Sequence, residues 1–150
     1  MSEQNPPTEI PSSYTFINES LLKTFYLNDK EKTLIMVWKG GVDNDDMQYK
    51  DDSFHSIDLI NKYKINFLVS DTRKSEFTIS PDLQVWYAEE IVPQLEENGL
   101  KKCAIILNDD LNMLSALEEI SSNVLRSQGV QKIPHRFFST LTDAFKWLAG

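Results

Sequence analysis

The chain has little of what several protein classes require. Its 150 residues include one cysteine, Cys103, so an internal disulfide and a cysteine-cluster zinc site are excluded, and we expect a reducing, cytoplasmic environment. No apolar run approaches the roughly 20 residues that a membrane-spanning helix needs, and the first residues lack the basic and apolar regions of a signal peptide. Lys and Arg number 15 against 23 Asp and Glu, and the net charge of −8 argues against nucleic acid as a partner.

What is present indicates one folded domain behind a short tail. Hydrophobic residues make up 41% of the chain and charged residues 25%, which are values typical of globular proteins. Three of the six prolines fall at positions 6, 7 and 11, in a polar stretch that offers little to bury. We therefore predict a disordered tail over residues 1–13 and a folded domain over residues 14–150.

The first part of that domain predicts a hairpin followed by a helix. Apolar runs at 21–27 and 33–38 flank a polar turn, which favours two antiparallel strands, with a short strand before them at 14–17. Between positions 43 and 63 the apolar residues recur at helical spacing, so we expect them to be buried on one helix face; they are Met47, Phe54, Ile57 and Ile60. Gly40 and Gly41 are expected to supply a positive φ between strand and helix.

The remainder alternates strands with helices. Strands are predicted at 65–69, 103–107 and 133–138. Three helices are predicted: one capped by Ser80, bent at Pro93 and ended by Gly99; one from Asp109 or Asp110 to Gly129, with Leu114, Leu117, Ile120 and Val124 inward; and one capped by Ser139 or Thr140. This order predicts an α/β fold with a mixed, mainly parallel sheet of about five strands, an N-terminal antiparallel hairpin and four helices.

Polar side chains directly after a buried strand are the strongest candidates for a binding site. Asp71, Thr72 and Arg73 follow the strand at 65–69, and ligands of open α/β sheets bind outside the carboxyl ends of parallel strands. These residues could bind a phosphate or a partner's backbone, with Thr72 as a candidate phosphoacceptor. The alternative is structural: Asp71 accepts hydrogen bonds from loop N–H groups and Arg73 pairs with a surface acid.

No set of residues predicts catalysis. The two histidines, His55 and His135, lie on a polar helix stretch and inside the last strand, and Cys103 reads as a small buried hydrophobe. The sequence contains no Walker or Gly-x-Gly-x-x-Gly loop, and no nucleophile–histidine–acid arrangement is suggested by spacing. We expect no enzyme activity, no cofactor and no metal.

A cluster of acids surrounds the start of the first helix. Carboxylates there interact favourably with the helix dipole, and the same cluster could offer a docking face to a basic partner; its members are Asp43, Asp45, Asp46, Asp51 and Asp52.

Several segments together resemble a known family. They are LIMVWKG at 34–40, LVSDTR at 68–73, the helix with Trp86 and Pro93, GLKKCA at 99–104, and FKWL at 145–148. In these segments the chain resembles the SpoIIAA-like (STAS/SEC14-type) small bacterial domains over residues 14–150. The resemblance implies a STAS-like fold and a non-catalytic regulatory role of the anti-sigma-factor-antagonist type; the alternative is a SEC14-like carrier of a small apolar ligand or lipid.

The resemblance also implies where a protein partner would dock. In the family's antagonists a Ser in a turn before a helix is phosphorylated by the partner kinase. The matching turn here keeps the acid and a hydroxyl but lacks the Ser-Gly that follows. We therefore expect docking through this turn and the start of the next helix, at Asp71, Thr72, Arg73, Ser80, Asp82 and Trp86. A homodimer through exposed strand edges or through an aromatic helix surface stays open.

Overall fold

The fold is built on one mixed sheet of six strands that lie in the order of the chain. The computed structural model describes residues 10–41, 45–75, 80–108 and 133–150. The antiparallel part pairs β1 with β2 and β2 with β3, and the strands from β3 to β6 are parallel. The α/β class, the N-terminal hairpin and the parallel remainder are confirmed, with six strands where about five were expected. The strands are β1 (Thr15–Glu19), β2 (Lys23–Asn28), β3 (Thr33–Trp38), β4 (Phe67–Asp71), β5 (Lys102–Ile106) and β6 (His135–Phe138).

Two helices in the described ranges begin at caps that the sequence predicted, Ser80 and Thr140, whereas the cap of the first helix, Asp45, was not predicted. The helices in these ranges are α1 (Asp46–Lys62), α2 (Pro81–Trp86), α3 (Val92–Glu97) and α4 (Leu141–Ala149), with a π-helical turn at Tyr87–Ile91 joining α2 to α3. Asp45 and Gln48 form a capping box on α1, Ser80 caps α2, and Thr140 caps α4. The helix predicted between Asp109 and Gly129 lies outside the described residues.

Pro93 explains the π-helical turn. Proline has no N–H to donate to the carbonyl four residues back, so the regular α-helical ladder cannot continue through it. The N–H of Val92 bonds instead to the carbonyl of Tyr87, five residues earlier. The distortion expected at Pro93 thus takes the form of a widened turn that precedes the proline.

Alternation along the strands divides the core between two sheet faces. On the α1 face, sheet residues such as Leu34 and Leu68 pack against α1, the π-helical turn and α3. On the α4 face, residues such as Ile35 and Val69 pack against α4. Ile10 is also buried on the α4 face, so packing against the sheet begins inside the range 1–13 that was predicted as a tail.

The buried side of α1 differs from the prediction. Ile57 and Ile60 are buried as expected, but Met47 is 68% exposed and Phe54 is 42% exposed. The helix turns a stripe of mostly polar residues inward instead: Tyr49, Asp52, Ser53 and Ser56. The prediction was wrong for Met47 and Phe54 because it assigned the inner side by apolarity alone, whereas Lys23 of β2 provides a buried partner for the polar stripe.

Candidate functional site

Asp71 and Arg73 pair with each other in the loop after β4. Asp71 is buried, and its carboxylate accepts two hydrogen bonds from the Arg73 guanidinium, Nε to Oδ1 at 2.9 Å and Nη2 to Oδ2 at 2.7 Å. The backbone N–H of Arg73 also donates to Oδ1, at 3.2 Å. The sequence left open a structural role in which Asp71 accepts loop N–H bonds and Arg73 pairs with a surface acid. The loop has this arrangement, except that the acid paired with Arg73 is Asp71. Such a bidentate pair is strong, and it fixes the guanidinium within the loop.

The hydroxyl of Thr72 is engaged as a donor. Its Oγ1 donates to the carbonyl oxygen of Ile106 at 2.7 Å, and the backbone N–H of Thr72 donates to the same oxygen at 2.9 Å. The pair of bonds fixes the loop after β4 against the end of β5. A phosphoryl group on Oγ1 would remove the hydroxyl hydrogen and with it the first of these bonds.

The three remaining predicted residues lie on or beside α2. Ser80 Oγ accepts from the N–H of Leu83 at 3.3 Å, which is a helix cap, and Asp82 is exposed in the first turn. Trp86 is half-buried, and its ring packs perpendicular to Phe54 with the ring centroids 5.7 Å apart. Trp86 is therefore the predicted residue that takes part in a surface shared with α1.

The predicted site falls into two groups on opposite faces of the sheet. Asp71 is in register with Val37 and Ile106, which belong to the α4 face. Trp86 packs with residues of the α1 face, including Trp38. Sequence position at a strand end does not reveal the face on which a side chain points, which is why the two groups were expected together.

A buried ion pair on the α1 face was not foreseen. Lys23 Nζ lies 3.0 Å from Asp52 Oδ2, and both side chains are 3% exposed. The ammonium group also donates to Ser56 Oγ at 2.9 Å and lies 4.4 Å from the centre of the Trp38 ring. Burial lowers the pKa of Lys23, and the charge of Asp52 opposes that shift. A lone lysine in the apolar run 21–27 was the signal that could have revealed it.

Asp52 therefore does not belong to the surface acidic cluster that was predicted around the start of α1. Its Oδ1 accepts from the backbone N–H of Leu22 at 3.3 Å, so the carboxylate joins the β1–β2 connection to the helix. Asp45, Asp46 and Asp51 are exposed, and Asp43 lies outside the described residues.

A second polar cluster joins the π-helical turn to the sheet. His135 Nδ1 lies 2.9 Å from the carbonyl oxygen of Ile133, and because a carbonyl only accepts, Nδ1 carries the proton. The Nε2 of the neutral ring then accepts from the Tyr87 hydroxyl at 3.1 Å. Burial lowers the pKa of His135, and burial raises the pKa of the neighbouring Cys103 to about 12. Cys103 is thus a buried thiol, which is not a nucleophile's environment.

The outer side of α1 carries exposed apolar side chains. Met47 and Phe54 are seven residues apart, so they lie on one stripe of the helix, two turns from each other. Phe54 continues into Trp86 through the perpendicular ring contact. We call Met47, Phe54 and Trp86 the α1 outer surface.

A pocket of about 270 Å³ lies beside this surface, between α1 and the β1–β2 connection. Leu21, which is 52% exposed, contributes an apolar wall. The other lining residues are polar: Ser20, Gln48, Asp51, Asp52 and His55.

Comparisons with protein-family models, with curated proteins and with solved structures found no match. Among the described residues, no group of three or more His, Cys, Asp or Glu side chains is placed to hold a metal ion. Within the same ranges, no helix is both long and apolar enough to cross a membrane. The STAS-like resemblance stays a prediction that rests on its sequence segments.

Proposed function

We propose that the chain is a non-catalytic protein-interaction module of STAS-like type, and that its partner docks on the α1 outer surface. The observation that carries the proposal is the exposure of Met47 and Phe54, two large apolar side chains on one helix stripe, next to the half-buried Trp86. Large apolar side chains that are exposed on the same stripe of a helix suit an interaction site, because a partner that covers them gains their burial.

The polar residues that could have taken part in a reaction are engaged inside the fold, which supports a non-catalytic role. Asp71 is held by Arg73, the Thr72 hydroxyl donates to Ile106, and the Cys103 thiol is buried. Docking is therefore proposed on α1 rather than on the Asp71 loop. Anti-sigma-factor antagonism in the cytoplasm is the role that the resemblance implies, and the free thiol of Cys103 suits a reducing compartment.

The alternative role, a SEC14-like carrier of an apolar ligand, is less well supported by the pocket beside α1. Its lining is polar apart from Leu21 and includes the carboxylates of Asp51 and Asp52. Apolar ligands are bound in pockets with predominantly hydrophobic walls. Native mass spectrometry of the purified chain tests this alternative directly, since a carrier would retain an apolar ligand.

Site-specific photo-crosslinking tests the proposal. A photoreactive phenylalanine analogue replaces Phe54 in one protein and Phe16 in the other. Phe16 is the matched control because it is 52% exposed and contacts Tyr26 on the α4 face. We expect a discrete crosslinked protein from position 54 alone, and the purified partner should bind the Met47→Ser variant more weakly than the unaltered chain. The same crosslinks from both positions, or unchanged binding by Met47→Ser, would contradict docking on α1.

A further inference from the structure

We infer that the segment docking on the α1 outer surface is a basic amphipathic helix of the partner. The inference rests on the proposed function and specifies the chemistry of the partner. It follows from three properties of the described residues: the apolar stripe, the charges around it and the pocket at its side.

The apolar stripe has the dimensions of a helix-recognition surface. Met47 and Phe54 are about 10.5 Å apart along the helix axis, since seven residues rise about 1.5 Å each. A partner helix with apolar residues at positions i, i+3, i+4 and i+7 presents a stripe of the same length. Trp86 widens the surface on one side through its contact with Phe54.

The charges around the stripe favour a basic partner. The exposed carboxylates of α1 and its cap are four: Asp45, Asp46, Asp51 and Asp58. Two lysines of the helix, Lys50 and Lys62, oppose them, and Lys50 lies over the Trp86 ring at 5.4 Å. Asp52 adds no free charge, because Lys23 neutralises it inside the fold. The net negative potential attracts cationic segments and repels acidic ones.

The pocket gives a place for one long basic side chain of that helix. Leu21 forms an apolar wall along which the methylene groups of a Lys or Arg can lie, while Asp51 offers a carboxylate for the charged end. Asp51 is exposed and therefore accessible to such a group.

The test uses the full chain and a defined probe. The probe is a fluorescein-labelled synthetic helix of Leu, Ala and Lys, with Leu along one stripe and Lys on the opposite side; its control has Glu in place of every Lys. Binding is measured by fluorescence anisotropy at physiological ionic strength. We expect the basic peptide to bind and the acidic peptide to bind at least about tenfold more weakly.

Matched variants locate the binding. Met47→Ser and Phe54→Ser should each weaken binding about tenfold, and Asp51→Asn about threefold. Phe16→Ser and Asp143→Asn, which make the same changes on β1 and on α4, should leave it unchanged. Because Phe54 packs against Trp86, the thermal unfolding of each variant is recorded. If the Phe54→Ser protein is not folded, the binding result for Met47→Ser is the one that tests the inference.

Four outcomes overturn the inference. The first two are equal binding of both peptides and no binding of the basic peptide. The third is that the substitutions on α1 weaken binding no more than their controls on β1 and α4. The fourth is a dimer of the chain that Met47→Ser dissociates in sedimentation. If position 54 still crosslinks a partner while the basic peptide fails to bind, docking on α1 stands and the basic helix is wrong. If the crosslink is also absent, both proposals fail.

Discussion

Lys23 Nζ and Asp52 Oδ2 lie 3.0 Å apart in the interior, each on a side chain that is 3% exposed. This pair joins β2 to α1 and thereby fixes the side of the helix that faces the sheet. The polar stripe of α1 faces inward, where Asp52 and Ser56 contact the buried ammonium group of Lys23. Met47 and Phe54 consequently face outward. The helix orientation that buries this ion pair, together with Ile57 and Ile60, is thus the one that leaves the candidate docking surface outward.

The first prediction concerns the coupling of this pair. Lys23→Met should destabilise the fold by about 3–5 kcal/mol because it leaves the Asp52 carboxylate buried without a counter-charge. Asp52→Asn should cost a similar amount, since it isolates the ammonium group. The double variant should cost less than either single variant, because no uncompensated charge remains. Urea unfolding of all four proteins measures this; strictly additive effects would contradict the coupling.

The second prediction concerns the close approach of two loops. A Cβ added at Gly40 would lie 2.7 Å from the carbonyl oxygen of Lys74, which is backbone and cannot move aside easily. Gly40→Ala should therefore lower the free energy of unfolding by about 1–3 kcal/mol. Gly150→Ala is the control, since a Cβ there meets no atom closer than 3.6 Å. Equal stability of the two variants would show that the loops do not pack as described.

The third prediction concerns pH. Burial lowers the pKa of His135 below its ordinary value of 6.5, so the unfolded chain takes up this proton before the folded one does. The contribution of His135 to stability is therefore full above pH 6.5 and declines as the pH falls toward the folded-state pKa. Tyr87→Phe removes the hydroxyl that donates to Nε2 and should raise the pKa of His135. NMR titration of the His135 ring in the unaltered chain and in Tyr87→Phe measures both pKa values. A pKa of His135 at or above 6.5 in the unaltered chain would contradict the prediction.

The fourth prediction separates the Asp71 loop from docking. Asp71→Ala removes two hydrogen bonds that the Arg73 guanidinium donates and should destabilise the chain by about 1–3 kcal/mol. Binding of the basic peptide should stay unchanged, because Asp71 points to the α4 face. A loss of binding comparable with that of Met47→Ser, in protein that is still folded, would return the docking site to this loop.

The sequence predicted the order of strands and helices well because local signals determine it. The caps Ser80 and Thr140 and the positive φ of Gly41 and Gly99 are read from single residues and their neighbours, and the structure confirms them. The positive φ expected at Gly40 was wrong: its backbone does not adopt one, and the glycine lies instead where a Cβ would meet the carbonyl oxygen of Lys74. The π-helical turn also follows from one residue, Pro93, although its form was not foreseen.

The candidate site was harder to predict because it depends on contacts distant in the chain. The burial of Asp52 depends on Lys23, 29 positions earlier, and no local pattern distinguishes it from the exposed Asp51. Likewise, the distance in sequence between Asp71 and Trp86 says nothing about the sheet face on which each lies. Periodicity placed Met47 inside for the same reason: apolarity was the only guide to the inner side of α1.

The most direct test of docking on α1 is an amide chemical-shift map of the isotopically labelled full chain, titrated with the basic amphipathic peptide. Docking on the α1 outer surface predicts that the largest shifts cluster at Met47, Asp51, Phe54 and Trp86, with none at Phe16 or Asp71. Shifts centred on the Asp71 loop or on β1, with α1 unaffected, would contradict it.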